Sequence, residues 1–205
     1  MNRDDLLAVV EDRARNPWAL AGAIPHGARE VGGETRTNLT CGDRVELALH
    51  LVDEGSASAG NPGDEDGDGG GVDDSGRSGD VGRDVGGDSR EAVDREGGRV
   101  FLRGATAGCA LSTAAGDILA EVIDGWSRHD AAALLAELAD ARLRGRAVSE
   151  EASALLNARA AGGQATSAKD LKGLAEMEVV PLRRRCIAFP WKLAADLLAD
   201  DQPGG

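Results

Sequence analysis

Tyrosine is absent from this 205-residue chain, which has only two phenylalanines and three tryptophans. With so little aromatic mass, the core has to come from Leu, Val, Ile and Ala. Lysine is nearly missing too: of 23 basic residues only Lys169, Lys172 and Lys192 are lysines, against 36 acidic residues. The formal net charge of −13 argues against nucleic acid as a partner, because a phosphate backbone would be repelled. No apolar run is long enough for a membrane span or a signal peptide, so no membrane partner and a cytoplasmic location are expected. Cysteine is scarce as well. Cys41, Cys109 and Cys186 are odd in number and lie 68 and 77 residues apart, with no CxxC pair. That pattern speaks against a disulfide framework, and it lacks the usual short-range sign of zinc.

What is present falls into two halves and an interruption. Asn2 caps an expected helix over residues 3–15, with Asp4 and Asp5 in the first turn and Arg13 and Arg15 in the last, as the helix dipole prefers. Pro17 ends it. "AREVGGETRT" reads as a strand. Residues 45–52 alternate, with Val45, Leu47, Leu49 and Leu51 on one face and Glu46, Ala48 and His50 on a polar one, which is the pattern of a half-buried strand. Residues 99–103 resume as a strand.

Between these strands, 55–98 holds 14 glycines among 44 residues, a local charge of −8 and no Leu, Ile or aromatic residue. Such a segment cannot bury enough apolar surface to offset its ordering entropy, so it is expected to be a disordered acidic insertion joining two hairpin partners. Lengthening a short turn to 44 residues costs only about 2 kcal/mol of closure entropy.

After Cys109 the period becomes helical. Ile118, Leu119, Val122, Ile123 and Trp126 share one face. A second helix is expected over 129–143, a third from Ser149 to about Gly162, and a polar helical connector over 166–177. The last helix runs over 181–200, where Pro190 should split or kink it. Strands followed by helices make an α+β fold: a small antiparallel sheet of about three strands with helices on one face, in a single domain over 1–205.

The cysteines each sit at a structural transition. Cys41 lies on a turn where Gly42 lets the backbone bend, so that Cys41 and Asp43 could face one point. Cys109 opens a helix, whose dipole favours thiolate. Cys186 follows Arg183, Arg184 and Arg185, which also favour an anionic sulfur. Three thiolates and a carboxylate suit a four-coordinate zinc or iron ion, and the oxygen corner could open for exchange. The plainer alternative makes each cysteine a small buried hydrophobe. His26, His50 and His129 are scattered and are not read as ligands; His50, on the polar face of its strand, is expected to be solvated, and His129 to sit near a helix start.

Four segments in order narrow these readings: "EDRARNPWALAGA", "NLTCGD", "GCALSTAAGDILAEVIDG" and "VVPLRRRCIAFPWKLAADLL". They resemble the "DHxxNPxNxG", "NPxCGD", "GCxISxASxSMMxxxIxG" and "PxRxxCxxLxWxxL" motifs of the U-type iron–sulfur assembly scaffolds, namely IscU, the amino-terminal domain of NifU and especially SufU. Within that family IscU-type proteins carry a histidine before the third cysteine. Arg185 stands there in this chain, and arginine cannot ligate metal.

The resemblance implies that Cys41, Asp43, Cys109 and Cys186 bind zinc, or iron and a transient iron–sulfur cluster. It also implies that Cys41 accepts persulfide sulfur from a SufS-like cysteine desulfurase, with recipient apo-proteins or carriers downstream. Whether such a protein scaffolds a cluster, acts as a zinc-dependent sulfurtransferase or is an inert zinc-binding paralogue stays open at this point. The departures are Leu39 for proline, Thr106 for glycine, Ala115 and Asp117 for serines, and Arg13 for histidine.

Overall fold

A computed structural model of the protein describes residues 2–53 and 98–200. Apart from Gly98, the insertion expected at 55–98 lies outside the described residues. The element order is α1 (Arg3–Arg15), β1 (Arg29–Thr37), β2 (Arg44–Val52), β3 (Arg99–Ala107), α2 (Ala110–Ile123), β4 (Trp126–Ser127), α3 (Arg128–Arg144), α4 (Glu150–Arg159), α5 (Ala165–Glu176) and α6 (Pro181–Asp200). The fold is α+β, with one antiparallel sheet in the order β1-β2-β3-β4. The first helix begins as its sequence dictates: the Asn2 side chain accepts from Asp5 N at 2.8 Å, and Asp5 accepts in return from Asn2 N at 3.3 Å.

β2 and β3 are hairpin partners in continuous register from Arg44↔Ala107 to Val52↔Arg99. Val45, Leu47, Leu49 and Leu51 of β2 join Val100 and Leu102 of β3 in one buried layer, against which the helices pack. α2 is buried nearly all round, because α1, α5, α6 and β3 each cover part of it. α6 crosses α3, α2 and the β1-β2 end of the sheet. Among the described residues no helix is long and apolar enough to cross a membrane.

Several expectations are corrected. Trp126 does not extend α2: the helix ends at Ile123, Gly125 turns with φ of 77°, and Trp126 pairs with Val100 as a fourth, two-residue strand. His50 is buried, not solvated, for it lies between its cross-strand neighbours Glu30 and Phe101. Gly162 does not terminate α4. A π-helical turn, Ala160–Gln164, carries the chain straight into α5.

Residues 166–177 are no polar connector either, since Ala168, Leu171, Leu174 and Ala175 belong to the core. Pro190 leaves α6 as one helix, buried against Gly116 of α2. Its missing N–H leaves the Cys186 carbonyl without its helical donor, and packing outweighs that loss.

α3 and α4 are joined by a polar clasp. Glu137 accepts from Ser149 N at 2.8 Å and from both Arg146 Nη atoms at 2.6 and 2.7 Å. The Arg146 bonds, opposed by partial burial and aided by the Ser149 N–H, bring the Glu137 carboxyl down to about 2. A depressed carboxyl stabilises the fold above its ordinary 4.5 and loses that contribution as pH falls toward about 2. Glu137→Gln is therefore expected to cost about 0.5–1 kcal/mol near neutrality, allowing for solvent screening of this part-exposed pair. The gap from wild type should close in acid, as read from urea midpoints across pH.

Candidate metal centre

Three elements bring the cysteines to one place. The turn between β1 and β2 carries Cys41 and Asp43, the start of α2 carries Cys109, and the first turns of α6 carry Cys186. Asn38 builds the turn: its N–H donates to Asp43 O at 2.7 Å, its carbonyl accepts from Cys41 N and Gly42 N, and its side chain accepts from Thr40 N. Gly42 takes φ of 75°, a left-handed conformation that costs glycine nothing. The bend expected there is present, and it turns Cys41 and Asp43 to the same side.

Ligand-type atoms of Cys41, Asp43 and Cys186 all lie within 4.8 Å of one another. The Cys186 and Cys41 sulfurs are 3.4 Å apart. Cys109 reaches the group at Asp43: its N–H donates to Oδ1 at 2.9 Å and its thiol to Oδ2 at 3.2 Å. Gly108 makes this approach possible, because any Cβ there would run into the Asp43 carboxylate. Cys186 is fully buried, Asp43 nearly so, and Cys41 and Cys109 are half-buried.

Sulfur and carboxylate donors in this arrangement suit zinc or iron. Zinc bonds of about 2.3 Å to sulfur and 2.0–2.2 Å to oxygen put tetrahedral donors about 3.4–3.8 Å apart, and the Cys41 and Cys186 sulfurs, 3.4 Å apart, already stand at the short end of that range. His26 and His129 are exposed, and no histidine belongs to the cluster among the described residues.

The Cys186 thiol is shifted away from thiolate, opposite to the direction expected from its neighbouring arginines. Burial, then the neighbouring Cys41 and Cys109, pushes the Cys186 thiol up to about 12. Burial also raises Cys41. Asp43 moves the other way. Burial would raise it, but bonds from the Cys41 thiol, from the Cys109 N–H and thiol and from the Cys186 thiol together hold it below its ordinary value. Asp43 is thus held toward its charged form, and the Cys41 and Cys186 thiols toward their neutral ones. A cation would reverse that balance and draw the thiol protons off. Arg183 faces the Cys186 sulfur, and Arg185 donates to Thr40 Oγ1 at 3.3 Å, on the turn that carries Cys41.

Two of the departures from the resembled motifs form a single device. Arg13 is buried and donates to Asp117 Oδ2 at 3.0 Å and also to Glu121, while Trp18 stacks 4.6 Å from its guanidinium. Asp117 Oδ1 accepts from Ala19 N and Leu20 N at 2.8 and 3.0 Å. A long-range pair of this kind leaves no local periodicity, so the sequence held no sign of it. A third departure, Ala115, offers its carbonyl to the buried Trp191 Nε1 at 3.0 Å.

No family model matches this chain, and no curated protein does. Several solved structures are similar, including the following two. One is a hypothetical protein, with a TM-score of 0.50 and 18% identity, covering 97% of this chain and 99% of that one. The other is a candidate iron–sulfur cluster assembly scaffold protein for the SUF system from thermophilic Fervidobacterium islandicum AW-1. Its TM-score is 0.48 and its identity 16%, with 93% of each chain covered. The first likeness shows a shared α+β fold over nearly the whole chain, and the resemblance to the U-type scaffolds rests on this chain's own four motifs.

Proposed function

We propose that this protein takes part in iron–sulfur cluster assembly, accepting sulfur from a cysteine desulfurase at Cys41 within a centre made by Cys41, Asp43, Cys109 and Cys186. One observation carries the reading. Three cysteines separated by 68 and 77 residues meet around one buried aspartate, in a fold that lacks any disulfide between them. Cysteines that were only small hydrophobes would have no reason to share a carboxylate.

Those four residues would hold a zinc ion, whose charge would keep their sulfurs ionised and the turn in place. A nascent cluster of iron and sulfide would be cargo at the same position. The transfer itself is an exchange. A desulfurase persulfide, Cys–S–SH, meets the Cys41 thiol. The outer sulfur passes to Cys41, which becomes Cys41–S–SH, and the donor leaves as a thiol. Cys41 suits this role because it is the sulfur on an open turn, whereas Cys186 is closed off.

A second reading, zinc-dependent sulfur transfer without a scaffold role, is favoured by Arg185. It bonds Thr40 and offers no ligand where a histidine would add one. Anaerobic purification followed by measurement of zinc, iron and labile sulfide, then addition of desulfurase and cysteine, separates the readings. Zinc alone with faster turnover supports transfer; bound iron and sulfide deliverable to an apo-protein support the scaffold. Cys41→Ala is expected to abolish stimulation of desulfurase turnover. Undiminished stimulation would remove Cys41 as the acceptor, and zinc with no effect on turnover would leave an inert centre.

A further inference from the structure

Sulfur accepted at Cys41 is left as a persulfide, and its nearest neighbour is another thiol. The Cys186 and Cys41 sulfurs are 3.4 Å apart, within the roughly 3–3.5 Å at which positioned atoms react. Cys186 is buried on α6, and Cys41 is half-exposed on its turn. A sulfur added to Cys41 on its open side would leave Cys186 behind the new S–S bond, on the side from which a thiol displaces a leaving sulfur. Cys109 is held differently, with its N–H and thiol both turned to Asp43.

We infer that Cys186 is a resolving cysteine that attacks the Cys41 persulfide and releases inorganic sulfide. The inference rests on the reading of Cys41 as sulfur acceptor. In the step, the Cys41 persulfide and the Cys186 thiol become a Cys41–Cys186 disulfide and one molecule of hydrogen sulfide. The bond between the two cysteine sulfurs forms and the bond to the outer sulfur breaks. The Cys186 sulfur is oxidised, and the outer sulfur is reduced and leaves with both protons. Asp43, within 4.8 Å of both cysteine sulfurs, faces the proton as it moves. A dithiol reductant then returns the disulfide to two thiols. The step belongs to the centre when Cys186 holds no metal.

The test uses the full chain, reduced and treated with a chelator, with inorganic polysulfide as sulfur donor, so that no desulfurase is involved. The wild type is expected to release sulfide and to end lighter by two hydrogens, with a peptide map joining Cys41 to Cys186. Cys186→Ser and Cys186→Ala should retain one extra sulfur on Cys41 and release sulfide at least about tenfold more slowly. Cys41→Ser should take up no sulfur at residue 41 and form no disulfide with Cys186. Sulfide release by the Cys186 variants at the wild-type rate overturns the inference. So does a stable persulfide on the wild type, or a wild type that takes up no sulfur at Cys41. If polysulfide gives this result while a desulfurase cannot load Cys41, resolution by Cys186 stands and the proposed donor fails.

Discussion

Asp117→Ala is expected to remove about 3–5 kcal/mol of folding stability, read as a fall in urea midpoint with little change in slope. Asp117 is fully buried, and three donors converge on it: Arg13, Ala19 N and Leu20 N. Truncation leaves the buried Arg13 guanidinium with Glu121 as its remaining carboxylate hydrogen-bond partner and leaves two backbone N–H groups unpaired. It also frees the segment after α1, whose Leu20 carbonyl accepts from Gly104 N of β3 at 3.0 Å. Burial holds the Asp117 carboxyl above its ordinary 3.8 even against the Leu20 N–H, Arg13 and the Ala19 N–H, so pairing offsets only part of the desolvation.

It follows that removing both charges should harm the fold less than removing one. Arg13→Met with Asp117→Ala is expected to sit well above Asp117→Ala alone, and Arg13→His with Asp117→Ser, the residues of the resembled motifs, should recover more. A double-mutant cycle with no coupling, or a loss below about 1 kcal/mol for Asp117→Ala, would mean that the network is ornamental.

Zinc added to the metal-free chain is expected to stabilise it by at least about 4 kcal/mol once free metal exceeds the dissociation constant a thousandfold. Asp43→Ala and Cys186→Ser should lose most of that increment. The pH dependence has two parts. In the metal-free fold the Cys186 thiol is raised from 9.0 to about 12, chiefly by burial. Its contribution to stability is therefore complete below 9.0 and is lost as pH rises toward about 12. With zinc bound the thiols give up their protons, so acid competes with the metal and the increment shrinks as pH falls. Calorimetric melting with and without zinc from mildly acidic to alkaline buffer reads both limbs. An increment that is the same in wild type, Asp43→Ala and Cys186→Ser would place the metal elsewhere.

The fit between residues and structure is closest where the governing interactions are short in sequence. The Asn2–Asp5 capping box, the alternation of β2, the Ser149 cap of α4 and the left-handed Gly42 each involve residues within a few positions of one another. Where expectation failed, a distant partner overrode a local signal. Trp126 looked helical, yet β3 recruits it as a strand. His50 alternated as a polar residue, yet Glu30 and Phe101 flank it. The 166–177 segment reads as polar because its few apolar residues are spaced thinly, yet its helix face packs into the core. Pro190 should break a helix, but its ring is buried against Gly116 and the helix continues.

Taken alone, the sequence determined which side chains were available for chemistry: three thiols, one aspartate two residues after the first of them, and glycines at 42 and 108. It also determined an aliphatic core and the order of strands before helices. Only the tertiary structure decided that Cys41, Asp43 and Cys186 bring their donor atoms within 4.8 Å of one another with Cys109 bonded to Asp43, that Arg185 bonds Thr40, and that Arg13 and Asp117 are partners across 104 residues. The physical reason is one of range. Caps, turns and alternation are settled by bonds within a turn or two of chain. The meeting of a hairpin turn, a helix start and a final helix is settled by how their apolar faces pack.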